Sequence, residues 1–202
     1  MNEHLRPPLQ LRRPGTTQAA DGLPRRAWTV EEIDKMLEAG ILEHGERFEL
    51  IGGELVAMAS KGLRHELLKI ALNKHWVRLA PEEITIAPET AFRMGEHDTP
   101  EPEFIVYPTS ILAHEVRGDS VILVVEIADS SLTNDRNIKG PRYAAAGVRE
   151  YWVIAARTLI TTVYRDPSPD GYRSRQDFAP NELLTPLLAS SLAVRLDQFE
   201  LG

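Results

Sequence analysis

The run Val121-Ile122-Leu123-Val124-Val125-Glu126-Ile127-Ala128 contains a single charged side chain and otherwise reads as a strand buried on both faces. A strand of that kind belongs in the interior of a sheet. An ionised carboxylate left unpaired there costs several kcal/mol or takes up a proton instead. A cation, a metal ion or a dense set of hydrogen-bond donors is therefore expected beside Glu126.

Working outward from this strand, Glu150–Ile154 and Leu159–Tyr164 read as further strands, with a weaker one at Tyr172–Phe178. Thr133–Ala146 is a helical stretch stopped by Gly147, although Gly140-Pro141 falls inside it, and an interior proline costs roughly 3 kcal/mol unless the helix kinks or restarts. Upstream, strands are expected at Ile84–Arg93 and Glu103–Tyr107. From Lys61 to Leu79, Leu63, Leu67, Ile70, Ala71, Trp76 and Val77 recur at helical spacing, and Pro81 closes the segment. Phe48–Ile51 and Glu54–Met58 flank Gly52-Gly53, a two-residue turn that needs positive φ. Thr29-Val30-Glu31-Glu32 is a capping box that opens a helix carrying Ile33, Met36 and Leu37 on one face and ending at Gly40. Strands alternating with long helices predict an α/β (α+β) domain, a mixed β-sheet flanked by helices rather than a sandwich.

Residues 1–27 mix prolines and glycines with arginines and carry no sustained apolar period, so they are expected to form a flexible Pro/Arg-rich arm ahead of one domain at 28–202. The arm holds five arginines against Glu3 and Asp21, a charge of +3; with −7 for the whole chain, the domain carries −10. That balance argues against a general nucleic-acid coat protein, because non-specific phosphate binding is carried by Lys and Arg. The 202 residues include no cysteine, so no disulfide is available and any zinc site would need His and carboxylates alone; a reducing, cytoplasmic setting fits. No stretch reaches the roughly 18 apolar residues of a membrane helix, and the N-terminus lacks an apolar core of the signal-peptide kind, so an unexported protein is expected. Phosphate-binding loops, dinucleotide fingerprints, HExxH and nucleophile-elbow motifs are all absent.

The chemistry-bearing candidates are Glu49 on the hairpin, His65 near the start of the long helix, Glu103 after two prolines, Glu126 and Lys139. If the strand opened by Glu103 neighbours the one bearing Glu126, two carboxylates meet at one end of the sheet. Magnesium takes one or two carboxylates together with waters and phosphate oxygens. Each residue also has a plainer reading: Glu126 salt-bridged to a buried arginine, Glu103 solvated, Lys139 in an exposed pair with Asp135, Glu49 a surface strand residue, His65 making one backbone bond.

The succession Phe48-Glu49-Leu50-Ile51-Gly52-Gly53-Glu54-Leu55, Arg64-His65, Pro102-Glu103, Val124-Val125-Glu126-Ile127, then Asp135, Lys139, Tyr143-Ala144 and Gly147-Val148-Arg149-Glu150-Tyr151-Trp152 resembles the Uma family of restriction endonucleases, within the PD-(D/E)XK nuclease superfamily. The resemblance runs from about residue 28 to 165. It implies a restriction-endonuclease-like core and a Mg2+-dependent endonuclease, Mn2+ serving as well, that hydrolyses phosphodiester bonds of nucleic acid, foremost DNA. Position by position, it implies Glu103 and Glu126 as metal ligands, Lys139 as the lysine that orients the water or the scissile phosphate, and Glu49 as an assisting acid. Arg64, Lys69, Arg136 and Arg142 are candidates for phosphate contacts, and a homodimer would let both strands be cut. Two departures stand out. Glu103 replaces the family's usual Asp, lengthening the side chain by one methylene, and Ala128 stands two residues past Glu126 where the superfamily carries its E-x-K lysine. A catalytically weak or inactive member serving as a binding or assembly module is the alternative.

Overall fold

A computed structural model describes residues 16–18, 24–43, 45–58, 60–129 and 131–201. Residues 1–15 and 19–23 of the expected arm lie outside the described residues; between them, β1 (Thr16–Gln18) pairs antiparallel with β2 (Pro24–Arg26). Helix α1 (Val30–Glu38) begins at the capping box: Thr29 Oγ1 accepts from the Glu32 N–H, and the Glu32 carboxylate accepts from the Thr29 N–H, each at 3.1 Å. The hairpin of β3 (Phe48–Ile51) and β4 (Glu54–Ala57) turns at Gly52 and Gly53, with φ of 60° and 81°. Gly53 has a second constraint, because a Cβ there would lie 2.6 Å from the Ala27 methyl.

Helix α2 (Leu63–Leu79) lies against one face of a six-stranded sheet. The sheet contains β5 (Ile84–Pro88), β6 (Phe104–Pro108), β7 (Leu123–Ala128), β8 (Glu150–Ala155), β9 (Thr161–Ser168) and β10 (Gly171–Phe178), ordered β10-β9-β8-β7-β6-β5. Only β7 and β8 are parallel. Their crossover is α3 (Leu132–Asn134), a π-helical turn at Asp135–Lys139 and α4 (Gly140–Ala145).

All six residues of β7 are buried, as its composition predicts. Period-two alternation divides them. Leu123, Val125 and Ile127 join Leu68, Leu72, Trp76, Phe104 and Trp152 in one core, with the C-terminal segment around Leu192 closing over it. Trp76 Nε1 donates to the Leu192 carbonyl at 2.8 Å. Val124 and Ala128 join Tyr143, Tyr151 and Val153 in a second core on the other face. Among the described residues, no helix is long and apolar enough to cross a membrane.

β4 ends one residue earlier than expected, and two strands are shorter by two residues or more. β5 stops at Pro88 because Glu89 takes a left-handed φ of 45°, and β7 starts at Leu123 after a 3-10 turn at Gly118–Ser120. The proline problem in the crossover is solved without a break. Pro141 has no N–H to place in an α-helical ladder, and the preceding turn widens so that Gly140 N–H bonds back to the Asp135 carbonyl.

Candidate active site

Glu126 follows Val124 on the α4 face of β7 and stays 95 % covered. Tyr143, one turn into α4, donates its hydroxyl to Glu126 Oε1 at 3.1 Å. Lys139 Nζ, from the π-helical turn, stands 3.0 Å from the same oxygen. The ammonium also lies 2.8 Å from Glu49 Oε2 and 3.8 Å from Asp135 Oδ1. Asp135 Oδ2 accepts from Ser131 Oγ at 2.6 Å, and Glu49 Oε1 accepts from the Glu101 N–H at 2.7 Å. One lysine thus serves three buried acids contributed by the hairpin, the central strand and the crossover. A π-helical turn inserted between helical segments is a common device at functional sites, and here it carries both Asp135 and Lys139 inward.

Glu103 is the first residue before β6. Since Phe104 pairs with Val125, the next step of that register sets Glu103 opposite Glu126. Glu103 Oε1 lies 2.9 Å from Lys61 Nζ and 3.1 Å from His65 Nε2, while Oε2 is buried with no hydrogen-bond partner among the described residues, Lys69 Nζ standing 4.0 Å away. Lys61 and Lys69 in turn meet Glu89 Oε1 at 2.5 and 2.9 Å. The structure brings Glu49, Glu103, Glu126 and Lys139 to one cleft of about 160 Å3, which His65, Lys61, Glu101 and Asp135 also line.

The electrostatics follow from burial and charge count. Burial pushes Glu126 up to about 8, and the charges of Asp135 and Glu49 add to this while Lys139 opposes it. Asp135 is raised for the same first reason, burial. Burial disfavours the Lys139 ammonium, yet the charges of Glu126, Glu49 and Asp135 outweigh it and raise the lysine above its ordinary value, so it remains protonated. At Glu103 burial pushes upward, but His65 and Lys61 outweigh it and hold the carboxyl low. Glu89 is held down to about 2 by its bonds to Lys61 and Lys69.

Glu126 couples the stability of the fold to pH. Its folded pKa exceeds the unfolded value, so the folded state binds more protons between about 4.5 and 8, and stability falls as pH rises through that window. In thermal melts without metal, Glu126→Gln should gain on wild type steadily from pH 5 to pH 8.5, since the amide oxygen still accepts from Lys139 and Tyr143. A constant difference between the two proteins across that range would refute the raised carboxyl.

Among the described residues, no group of three or more His, Cys, Asp or Glu side chains is arranged to hold a metal ion. The two carboxylates Glu103 and Glu126 nonetheless fit a hard divalent ion that brings its own waters. Glu103 Oε2 is buried and unpartnered, and both donors to Glu126 bond Oε1.

Two of the plainer readings and one expectation change. Asp135 and Lys139 do not form an exposed pair, because Asp135 is buried and Lys139 nearly so; Asp135 is a site acid that its position four residues before Lys139 signalled. His65 bonds the Glu103 carboxylate from a buried position. Of the proposed phosphate contacts, only Lys69 stands beside a site acid. Arg64 donates to the Ala156 carbonyl, Arg136 to Thr162 and Arg142 to Asp98, and none of the three lines the cleft.

A mixed sheet whose parallel pair is bridged by a helical crossover, with acids and a lysine gathered at one end, defines a restriction-endonuclease-like nuclease fold. A crystal structure from Anabaena variabilis ATCC 29413, described as "a putative nuclease belonging to DUF820", is similar to this chain with a TM-score of 0.66 and 18 % identity, over 85 % of this chain and 96 % of that one. The chain belongs to the Uma2 family, described as "Putative restriction endonuclease", whose model matches residues 30–197. No curated protein matches it significantly.

Proposed function

We propose that this protein is a magnesium-dependent endonuclease that hydrolyses phosphodiester bonds of nucleic acid, foremost DNA. The family and the fold support a nuclease in general. The observation that carries the finer reading is the unpartnered buried oxygen of Glu103 in the same cleft as Glu126 and a lysine shared by three acids. Glu103 and Glu126 would hold the divalent ion. Bound there, it would supply positive charge to the phosphate oxygens and make water a stronger nucleophile at neutral pH.

The protein's own groups do the rest. Lys139 stays an ammonium, so its work is to donate hydrogen bonds to a non-bridging phosphate oxygen and to orient the attacking water, not to take its proton. Glu49 and Asp135 aim that ammonium, and Tyr143 fixes the Glu126 carboxylate. As the water oxygen bonds to phosphorus, the bond from phosphorus to the departing sugar oxygen breaks; the proton lost by the water passes to solvent and the departing oxygen takes one from solvent, leaving a phosphomonoester and a free hydroxyl. Two copies acting together would cut both strands of a duplex.

The test begins with thermal melting in EDTA, Mg2+ or Mn2+. Saturation at about 100 times the Kd stabilises a protein by roughly 2.7 kcal/mol, or about 5–10 °C for a domain of this size. Wild type should show such a rise and Glu126→Ala should not. Plasmid or oligonucleotide cleavage by wild type with Mn2+, lost in Glu126→Gln, completes it. No metal shift and no cleavage would leave a binding or assembly module as the surviving account.

A further inference from the structure

Lys61, Lys69 and Lys139, the three lysines around the site, each already contact two or more carboxylates. A phosphate oxygen that is to bridge Lys61 and Lys69 therefore has to displace the carboxylate oxygen that already bridges them, Glu89 Oε1. The acids differ in how readily they yield. The side chains of Glu49, Glu103 and Glu126 are 6 % exposed, whereas that of Glu89 is 39 % exposed. Lys61 and Lys69 are themselves sunk into the surface, at 12 % and 11 %.

Glu89 also has an unusual posture. A single oxygen, Oε1, receives both ammonium groups, at 2.5 and 2.9 Å, which is how an anionic phosphate oxygen would bridge two lysines. Its backbone is left-handed, with φ of 45°, at the end of the edge strand β5, and its N–H is tied to the Glu103 carbonyl at 3.1 Å. Such a conformation is unfavourable for a non-glycine residue. The carboxylate can leave by side-chain rotation into solvent without unpacking the sheet. Glu66, comparably exposed, holds only Lys69 of the two lysines.

We propose that Lys61 and Lys69 form a seat for one phosphate group of the substrate strand, and that Glu89 is a resident anion which occupies this seat until the phosphate displaces it. The proposal deepens the nuclease reading and rests on it for the identity of the strand; the seat itself is specific for a phosphate oxyanion. Exchange of a carboxylate for a phosphodiester leaves the local charge unchanged, so the largely buried lysines are compensated in both states. Lys61 also bonds Glu103, and seating the phosphate on it places the strand beside the proposed metal-binding acid.

The experiment measures binding of a labelled duplex oligonucleotide in EDTA, where nothing is cut, and thermal stabilisation by inorganic phosphate. Glu89→Gln should bind the duplex about tenfold more tightly than wild type, with a salt slope steeper by about one phosphate contact. It should also gain a phosphate-dependent rise in Tm that wild type lacks, and Lys61→Met in the Glu89→Gln background should erase both gains. Glu82→Gln, which makes the same charge change on an exposed turn, should show neither. Unchanged or weaker binding of both probes by Glu89→Gln, or an equal gain in Glu82→Gln, would overturn the seat. Should Glu89→Gln fail to melt cooperatively, Glu89→Asp carries the same comparison with a smaller expected gain. A gain in phosphate binding together with wild type that cuts nothing in Mn2+ would keep the seat and end the nuclease reading.

Discussion

Lys139→Ala is expected to lower metal-dependent cleavage by at least about 10²–10³-fold, the scale of removing one preorganised stabiliser of transition-state charge. The same variant should be markedly less stable in EDTA. Glu49, Glu126 and Asp135 are all buried and Lys139 is the cation they share, so the truncation strands negative charge in a low-dielectric site. Breaking a buried pair from one side costs about 3–5 kcal/mol, equivalent to about 6–20 °C in Tm for a domain of this size. Protonation of Glu126, whose pKa is already pushed up to about 8, softens the loss at neutral pH and exposes it above pH 8. A divalent ion held by Glu126 and Glu103 would restore positive charge beside the acids that Lys139 leaves behind. Mn2+ should therefore raise the Tm of Lys139→Ala more than that of wild type, while cleavage stays lost. Cleavage within tenfold of wild type would remove Lys139 from the chemistry, and equal metal shifts in the two proteins would remove the ion from these acids.

That combination tests the site as a unit because its acids and cations come from distant parts of the chain. The strands and the crossover were readable in outline since each has a period, a cap or a stop: the capping box at Thr29, the Gly52-Gly53 turn and the continuous apolar run around Glu126 all appear where their chemistry requires. What periodicity could not reveal was which polar residues the topology brings together. The sequence pattern has Lys61 opening the long helix and Glu89 inside the strand Ile84–Arg93, and neither placement shows that the fold sets Lys61 between Glu89 and Glu103. Pro141 signalled an interruption in the crossover, but not that the chain would widen into a π-helical turn and carry Asp135 inward beside Lys139. The arginines failed as phosphate contacts for a related reason. Sequence gives their charge but not their direction, and Arg136 and Arg142 turn away to Thr162 and Asp98.

Glu126 and Glu150 make the same point from a shared composition. Each is a lone carboxylate beside a strongly apolar run, and Glu150 is the more deeply buried, fully covered where Glu126 is 5 % exposed. Their partners separate them. Glu150 Oε1 accepts from Trp152 Nε1 at 2.8 Å and from Arg165 Nη2 at 2.6 Å, and Oε2 accepts from the Leu187 N–H at 2.5 Å. The arginine arrives because β8 and β9 set Arg165 directly opposite Glu150. Both oxygens are satisfied, none faces the cleft, and the residue ties the C-terminal segment at Leu187 to the sheet. Glu126, by contrast, has both donors on one oxygen and two further acids around its lysine.

Glu150→Ala should consequently be the most destabilising single change at a polar residue outside the cleft. It leaves the Trp152 N–H, the Leu187 N–H and the Arg165 guanidinium without their acceptor, and loss of one member of such a buried charged network costs about 3–5 kcal/mol. The corresponding fall in Tm is about 6–20 °C. Glu150→Gln should lose less, because the amide oxygen can still accept from Trp152 while only the charge toward Arg165 disappears. Neither variant should change the size of the Mn2+ shift at a temperature where it is folded, since Glu150 touches none of the cleft groups. A Tm within about 2 °C of wild type for Glu150→Ala would mean that the network contributes little, and a lost metal shift would mean that burial with full hydrogen bonding does not distinguish the structural acid from the acids of the site.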